Sequence, residues 1–432
     1  MRLPECLGAL RERNYRLLFA GQALSQLGDQ MTPVAISFAV LDRGGSARQV
    51  GIVLGAGTAA MVLLLLVGGA IADRLPRRLV MLSADVLRFV VQAAVAVILL
   101  TGHWQVWELA SLEVFWGIGA AFFTPALTGL LPQLLSGDHL VQGNALQNLS
   151  WSLGAVVGPA LAGVLVAASG AGTAVAVDAA SFAVSALSLA HVRLPSRVRS
   201  AGPKTSMLGD LRAGWRAFAS RRWLWGIVVE FGLWHLLVFA PFIVLGAVVA
   251  KAHLGGAPAW GLVLSAFGTG ALAGGAVALH WRPKRPLLAA TLATLGFVPL
   301  PALLAEAVTV AAIAPVAFVA GAGFAVFGTQ WDTTLQRHIP HELLSRVSAY
   351  DWLGSLALLP VGYVIAGPIS DAIGIPATLW GSSVFMVLAV GAVLSLPEVR
   401  RLPAQPAQQG GPAQPGGPTT TGGVVAAKSE ET

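Results

Sequence analysis

Ionisable residues are scarce in this chain, and several stand where they could do chemistry. Asp29 ends the run FAGQALSQLGD, Asp85 and Arg88 sit three apart in LSADVLRF, and Glu113 interrupts the apolar SLEVFWGIGA. Asp178, Glu230, His235, Asp332 and Asp351 have similar surroundings. A charge inside a long apolar helix is costly unless it meets water or a partner, so each of these is a candidate for carrying a proton, touching a substrate or tying segments together. Asp29 lies 13 residues after Arg16, roughly 20 Å along a helix and past the midplane of a ~30 Å hydrocarbon core. Gln22, Ser25, Gln26 and Gln30 surround it in sequence and read as a wet helix face. It is a candidate proton carrier or substrate contact, with a structural hydrogen bond as the alternative. Asp85 and Arg88 share a helical face and can neutralise each other, which favours a structural pair over a coupling role. Asp178 reads as a cap or packing group. Glu230 and His235 are not aligned on one face, and His235 reads as a packed polar residue before a proton switch. Asp332 and Asp351 are candidates for a gate, or for pairs with Arg337 or Arg346.

The elements that hold these residues are membrane spans. Of 432 residues, 56% are apolar and 11% charged, against roughly 25% charged in an ordinary soluble domain. The net charge of +7 does not point to nucleic acid, because the basic residues lie between apolar stretches and act as topology signals. The single cysteine, Cys6, excludes an internal disulfide framework and reads as a cytosolic thiol. The opening MRLPECLGALRERNYRLL lacks a short apolar core with a cleavage site, so no cleavable signal peptide is expected. Cutting at charged and Gly/Pro-rich breaks leaves twelve stretches near the ~20 residues a spanning helix needs: 16–41, 49–72, 78–101, 105–132, 142–168, 172–192, 223–249, 258–280, 287–305, 308–333, 346–369 and 376–396. Alternating sides then carry 23 and three of the 27 Lys and Arg, with Arg88 inside a span. That asymmetry predicts both termini in the cytoplasm.

The predicted organisation is a six-helix half over 1–192, a cytoplasmic linker over 193–222, a second six-helix half over 223–396 and a disordered, dispensable tail over 397–432. Within the linker, Leu208, Leu211, Trp215 and Phe218 recur at helical spacing opposite Arg212 and Arg216, the pattern of a helix on the inner membrane surface. The halves repeat at an offset of 204: Gly117, Gly119, Ala121 and Phe123 match Gly321, Gly323, Ala325 and Phe327, and Gly158 and Gly163 match Gly362 and Gly367. Pro76–Arg77–Arg78 has a counterpart in Pro283–Lys284–Arg285. Two such halves place a substrate cavity at the midplane between them.

Three patterns then carry a family resemblance. Gly69-Ala-Ile-Ala-Asp73-Arg74-Leu-Pro-Arg77-Arg78, between the second and third spans, resembles the G-x-L-A-D-R-x-G-R-R signature of the major facilitator superfamily, with Pro76 in place of the second glycine. Gly154-Ala-Val-Val-Gly158-Pro159-Ala-Leu-Ala-Gly163 on the fifth span is similar to the family's exporter motif; small residues four apart let helices approach and the proline bends the helix. LLPQLL, GNALQN and VDAASF resemble the branch of drug:proton antiporters that holds macrolide-efflux proteins and the enterobactin exporter.

The resemblance implies an all-α membrane protein with twelve transmembrane helices in two pseudo-symmetric halves, the major facilitator fold. It implies export of hydrophobic or amphipathic small molecules from the bacterial inner membrane by proton antiport with alternating access. A dedicated exporter of a siderophore or self-made antibiotic is the alternative, and a non-transporting membrane sensor of the same fold is a rival from another class. The expected partners are the substrate, protons and the bilayer; the expected unit is a monomer, with no cofactor, metal or nucleic acid. No phosphate-binding loop, clustered His/Cys spacing or Gly-x-Ser-x-Gly turn suggests an enzyme.

By resemblance, Gly69 lets the second span approach the eleventh. Asp73 meets the N-terminus of the eleventh near Ser345 and Arg346, and Arg74, Arg77 and Arg78 complete a network that latches the inner gate. Glu113 stands where many proton-driven members place an arginine, so their arginine-assisted step does not carry over; it could be protonated or pair with another buried group. Among the 13 tryptophans, Trp104, Trp107 and Trp223 fit interfacial anchors. Trp151, Trp234 and Trp352 sit deeper and either stack on an amphipathic substrate or pack the core.

Overall fold

The computed structural model describes residues 5–193 and 207–404, all helical or connecting, with no strand among them. Residues 194–206 of the expected linker and 405–432 of the expected tail lie outside the described residues, as do the side chains of Asp73, Leu208, Leu211 and Ser345. The first half runs α1 (Arg13–Asp29), α2 (Thr32–Asp42), α3 (Ala47–Arg74), α4 (Arg77–Thr101), α5 (Val106–Leu134), α6 (Asp138–Ser169) and α7 (Ala171–His191). The connecting helix is α8 (Met207–Ala219). The second half runs α9 (Arg222–Trp234), α10 (Ala240–Val249), α11 (Ala257–His280), α12 (Pro286–Ala293), α13 (Pro299–Ala305), α14 (Val310–His338), α15 (His341–Leu356), α16 (Leu359–Ile373) and α17 (Ile375–Ser395), with the short α18 (Pro397–Arg401) after it.

Among the described residues, 11 helical segments are long and apolar enough to cross a membrane. The twelfth crossing is the first in the chain, made of α1 and α2. The expected unbroken helix over 16–41 is corrected here: it breaks at Gln30–Met31, where the Met31 amide turns back to the Gly28 carbonyl at 2.8 Å. Pro33 is the physical reason. It has no amide to give the Asp29 carbonyl, so the helical ladder stops at the carboxylate of interest and restarts beyond it. The second half is interrupted in the same way. A π-turn at His235–Phe239 precedes Pro241, a 3-10 turn at Thr294–Phe297 precedes Pro299, and the α15–α16 break precedes Pro360.

The halves meet where backbones can approach. α3 packs on α16, α6 on α11, and α2 reaches α10 and α11. A Cβ on Gly51 would strike the Tyr363 carbonyl, and one on Gly163 would meet the Ala257 carbonyl at 2.6 Å. These crossings lie toward the ends that carry Arg48 and Lys251, where Lys251 also pairs with Asp42 across the halves. Toward the arginine-rich end the halves part. Gly69 has open space around it, so the close approach of α3 to α16 rests on Gly51 and Gly55 in this conformation. There α15 packs within its own half and on α8, where Trp215 stacks with Phe218 and meets Tyr350 edge-on at 5.5 Å.

Candidate functional site

Two polar centres are built into this frame. The first lies inside the amino-terminal half, where α1, α4, α5 and α7 come together. Arg88 is 4% exposed. Its guanidinium pairs with Asp85 one turn earlier on α4 and reaches Asp29 of α1 at 3.5 Å. Phe123 and Phe182 cover its faces, with centroids 4.4 and 4.3 Å away, so the cation is held by ring quadrupoles as well as by carboxylates. Asp85 is fully buried and also accepts from the Ser185 hydroxyl at 2.6 Å, which in turn accepts from Gln22 at 2.9 Å. The sequence spacing allowed a local Asp85–Arg88 pair; the structure adds Asp29 as the third member. The rings of Phe123 and Phe182 were not legible as partners because they come from other helices.

Asp178 does more than cap. It accepts from Thr32 and from Gln92, both at 2.9 Å, and so ties α7 to α2 and α4 just beyond the break in the first span. Glu113 is buried on α5 against Gly57, and its Oε1 accepts no hydrogen bond from the described protein groups. The same holds for Asp29 Oδ1; the Asp29 carboxylate lies near the Trp116 indole. Asp29 is within electrostatic reach of both Glu113 and Asp178. Asp29, Asp85 and Asp178 therefore share the field of one guanidinium, and Glu113 neighbours Asp29. They cannot all be ionised in a dry core without large cost, so the cluster is chemically suited to holding and releasing protons.

The glycine–proline stretch of α6 shapes this centre from outside. A Cβ on Gly154 would meet the Gln26 carbonyl at 3.1 Å, and one on Gly158 would meet Gln30 Cβ at 2.6 Å. Both glycines thus seat α6 against α1 beside Asp29, while Gly163, one turn past Pro159, seats it against α11 of the other half.

The second centre is a cleft of about 430 Å³ lined from both halves. It brings together Trp151 of α6, Trp234 of α9 and Trp352 of α15, the three tryptophans singled out above. Trp151 and Trp352 are 57% and 63% exposed, so their rings are free of the core. Trp234 is packed among Phe231, Phe239 and Phe324, yet its indole N–H has no partner among the described protein groups. Asp332 and Asp351 also line the cleft, and Asp351 accepts from the Trp331 indole at 3.0 Å. Trp331 and Phe327, four apart on α14, also line the cleft; their meeting with Asp351 depends on a separate helix and is not legible in the sequence. His235 lines the cleft as well, its Nδ1 2.9 Å from the Phe231 carbonyl.

Other expected residues sort differently. Trp107 is well exposed, and Trp104 lies under the Arg43 guanidinium. Trp223 is corrected: it is buried against Trp331, because its span end is covered by α14. In the loop motif, Arg77 donates to the Gly129 carbonyl and Arg78 to those of Leu189 and Ala190, so these arginines bind their own half.

A helical bundle of two six-span halves meeting over a central cleft is the architecture of a transporter of the major facilitator type. The chain belongs to the transmembrane secretion effector family, whose family model matches residues 5–414. It is 28% identical over 394 residues to the multidrug efflux pump Tap of Mycolicibacterium fortuitum, covering 86% of this chain and 93% of that one. It is 23% identical to macrolide efflux protein A of Streptococcus pyogenes, covering 84% and 91%. Among solved structures it is similar to a bacterial homologue of the lysosomal transporter Spinster, with TM-score 0.66, 15% identity and coverage of 90% and 97%. A bacterial homologue of the iron transporter ferroportin gives TM-score 0.65, 19% identity and coverage of 89% and 98%.

Proposed function

We propose that the chain is a secondary active exporter of amphipathic small molecules, driven by proton entry through alternating access of its two halves. The halves act as the moving bodies, 1–192 and 223–396, joined by the 193–222 linker. The protein sits in the bacterial inner membrane with both termini in the cytoplasm, as the skew of basic residues favours. Efflux pumps among its relatives support the direction of transport.

The observation that carries this reading is the cleft itself. Exposed Trp151 and Trp352 offer flat apolar surface from opposite halves, while the free indole N–H of Trp234 and the carboxylates of Asp332 and Asp351 offer polar contacts. That combination suits a ligand with a broad apolar body and a polar or cationic group. In the amino-terminal half Asp29 is the proton carrier and Glu113 the second carboxylate, with Asp85 and Arg88 as the fixed counter-pair. When Asp29 takes a proton it releases Arg88 toward Asp85, which changes how α1 is held against α4. A proton bound more tightly in one state than the other shifts the equilibrium between them. The latch function of Gly69, Asp73, Arg74, Arg77 and Arg78 belongs to the state in which the arginine-rich ends close.

Accumulation of an amphipathic cationic dye in cells, with and without the chain and with and without a protonophore, tests the proposal. Expression is expected to lower accumulation, and the protonophore to restore it. Equal accumulation across a panel of amphipathic compounds would overturn the reading.

A further inference from the structure

At the arginine-rich end of the second half lies a cavity of about 290 Å³ that the transport cycle described above does not use. It sits between the end of α11, the start of α12 and the last turns of α14, and Arg282, Arg337, Thr329, Thr333, Gln330 and Trp281 supply most of its wall. No carboxylate lines it among the described residues. Arg337 gives one N–H to the Ala404 carbonyl at 2.9 Å and Gln330 donates to the Trp281 carbonyl at 3.2 Å. A guanidinium has five N–H donors, so the Ala404 contact leaves most of the Arg337 capacity for another acceptor. Pro286, the first residue of α12, adds a helix N-terminus to the same wall.

The internal repeat supplies a comparison within the same molecule. At the offset of 204, Thr333 corresponds to Gly129 and Arg337 to Gln133, and at an offset of 207 Pro283–Lys284–Arg285 corresponds to Pro76–Arg77–Arg78. In the first half the Arg77 side chain fills the groove at Gly129 and hydrogen-bonds its carbonyl. In the second half no side chain of the described residues fills the equivalent groove, and it is walled by two cations. One half closes this place with its own arginine, and the other leaves it open, with two guanidiniums and no carboxylate in its wall among the described residues.

The outer wall identifies the kind of anion. Val277 and Trp281, four apart on one flank at the end of α11, are 55% and 43% exposed. Ala276, Val277, His280 and Trp281 form an adjoining apolar groove. In a membrane span these positions face acyl chains, and an indole at a span end marks the headgroup level. We propose that this cavity binds the phosphate of an anionic glycerophospholipid, held by Arg282 and Arg337, with an acyl chain along Val277 and Trp281. Phosphate is the shared chemistry of lipid headgroups and free anions; the apolar groove selects the lipid, and the absence of a lining carboxylate disfavours headgroups that carry an ammonium.

Purified full-length protein in neutral detergent, titrated with phosphatidylglycerol, phosphatidylcholine of the same chains, glycerol phosphate and inorganic phosphate, tests this by native mass spectrometry and tryptophan-detected melting. Phosphatidylglycerol is expected to bind and to raise the melting temperature, with phosphatidylcholine weaker. The Arg282→Gln/Arg337→Gln variant should lose affinity about tenfold or more, the worth of a charge-assisted contact. Thr333→Leu keeps both charges and fills the cavity, so it should lose binding too; it stands in if the double variant does not fold. Unchanged phosphatidylglycerol affinity in either variant refutes the site. Full stabilisation by inorganic phosphate or glycerol phosphate refutes the lipid assignment, as does equal binding of phosphatidylcholine.

Discussion

Replacing Arg88 by methionine keeps an unbranched side chain between Phe123 and Phe182 and removes the charge that two carboxylates share. The two are not left equally exposed. The Asp29 side chain is 29% accessible, whereas that of Asp85 is fully buried and retains only the Ser185 hydroxyl as a donor. Asp85 therefore dominates the cost. Removing one partner of a buried ion pair destabilises by about 3–5 kcal/mol, far more than an exposed pair is worth. At about 2–4 °C per kcal/mol for a folding unit the size of one half, Arg88→Met should lower the melting temperature by roughly 6–20 °C. The 13 tryptophans give the signal for a thermal melt in detergent. Adding Asp85→Asn removes the stranded charge while leaving an amide for Ser185, and the double variant should regain most of the loss. A single variant that melts within a degree or two of the parent, or a double variant no better than the single one, would refute the claim that Asp85 and Arg88 are a buried compensating pair.

The cross-half pair of Asp42 and Lys251 should act as an outer latch. Asp42→Lys should bias the protein toward the outward-open state, seen as faster labelling of a cysteine placed at Ala257, and adding Lys251→Asp should return labelling to the parent rate. Asp73→Asn should leave expression and membrane insertion unchanged and impair dye efflux; full activity would reduce the Gly69–Arg78 stretch to a topology signal. Trp151→Ala should weaken dye binding several-fold without lowering the melting temperature, since its exposed ring contributes little to the core; an equal loss of stability would assign it to packing.

Composition and the spacing of charged breaks were enough to mark the apolar spans, because hydrocarbon thickness acts on each span separately. What depends on one span meeting another was less legible. The break beside Asp29 follows from Pro33, yet nothing in the sequence says that the chain turns there instead of bending. The Asp85–Arg88 pair was visible because it is local, whereas its aromatic covering by Phe123 and Phe182 depends on helices far apart in sequence. Trp223 looked interfacial by position and is buried because α14 covers it. Gly69, Gly154, Gly158 and Gly163 looked alike as small-residue motif positions. Packing separates them: the three on α6 meet other backbones or side chains, and Gly69 meets open space.

The central claim is that Asp29 carries the proton that drives export, and proton flux in proteoliposomes tests it most directly. With an imposed pH gradient and an amphipathic cation as substrate, the parent protein should couple substrate movement to proton counterflow, reported by an internal pH dye. Asp29→Asn should bind substrate and exchange it down its gradient while proton flux falls to the level of empty vesicles. Proton-coupled transport by Asp29→Asn at the parent rate would contradict the account and transfer the role to Glu113.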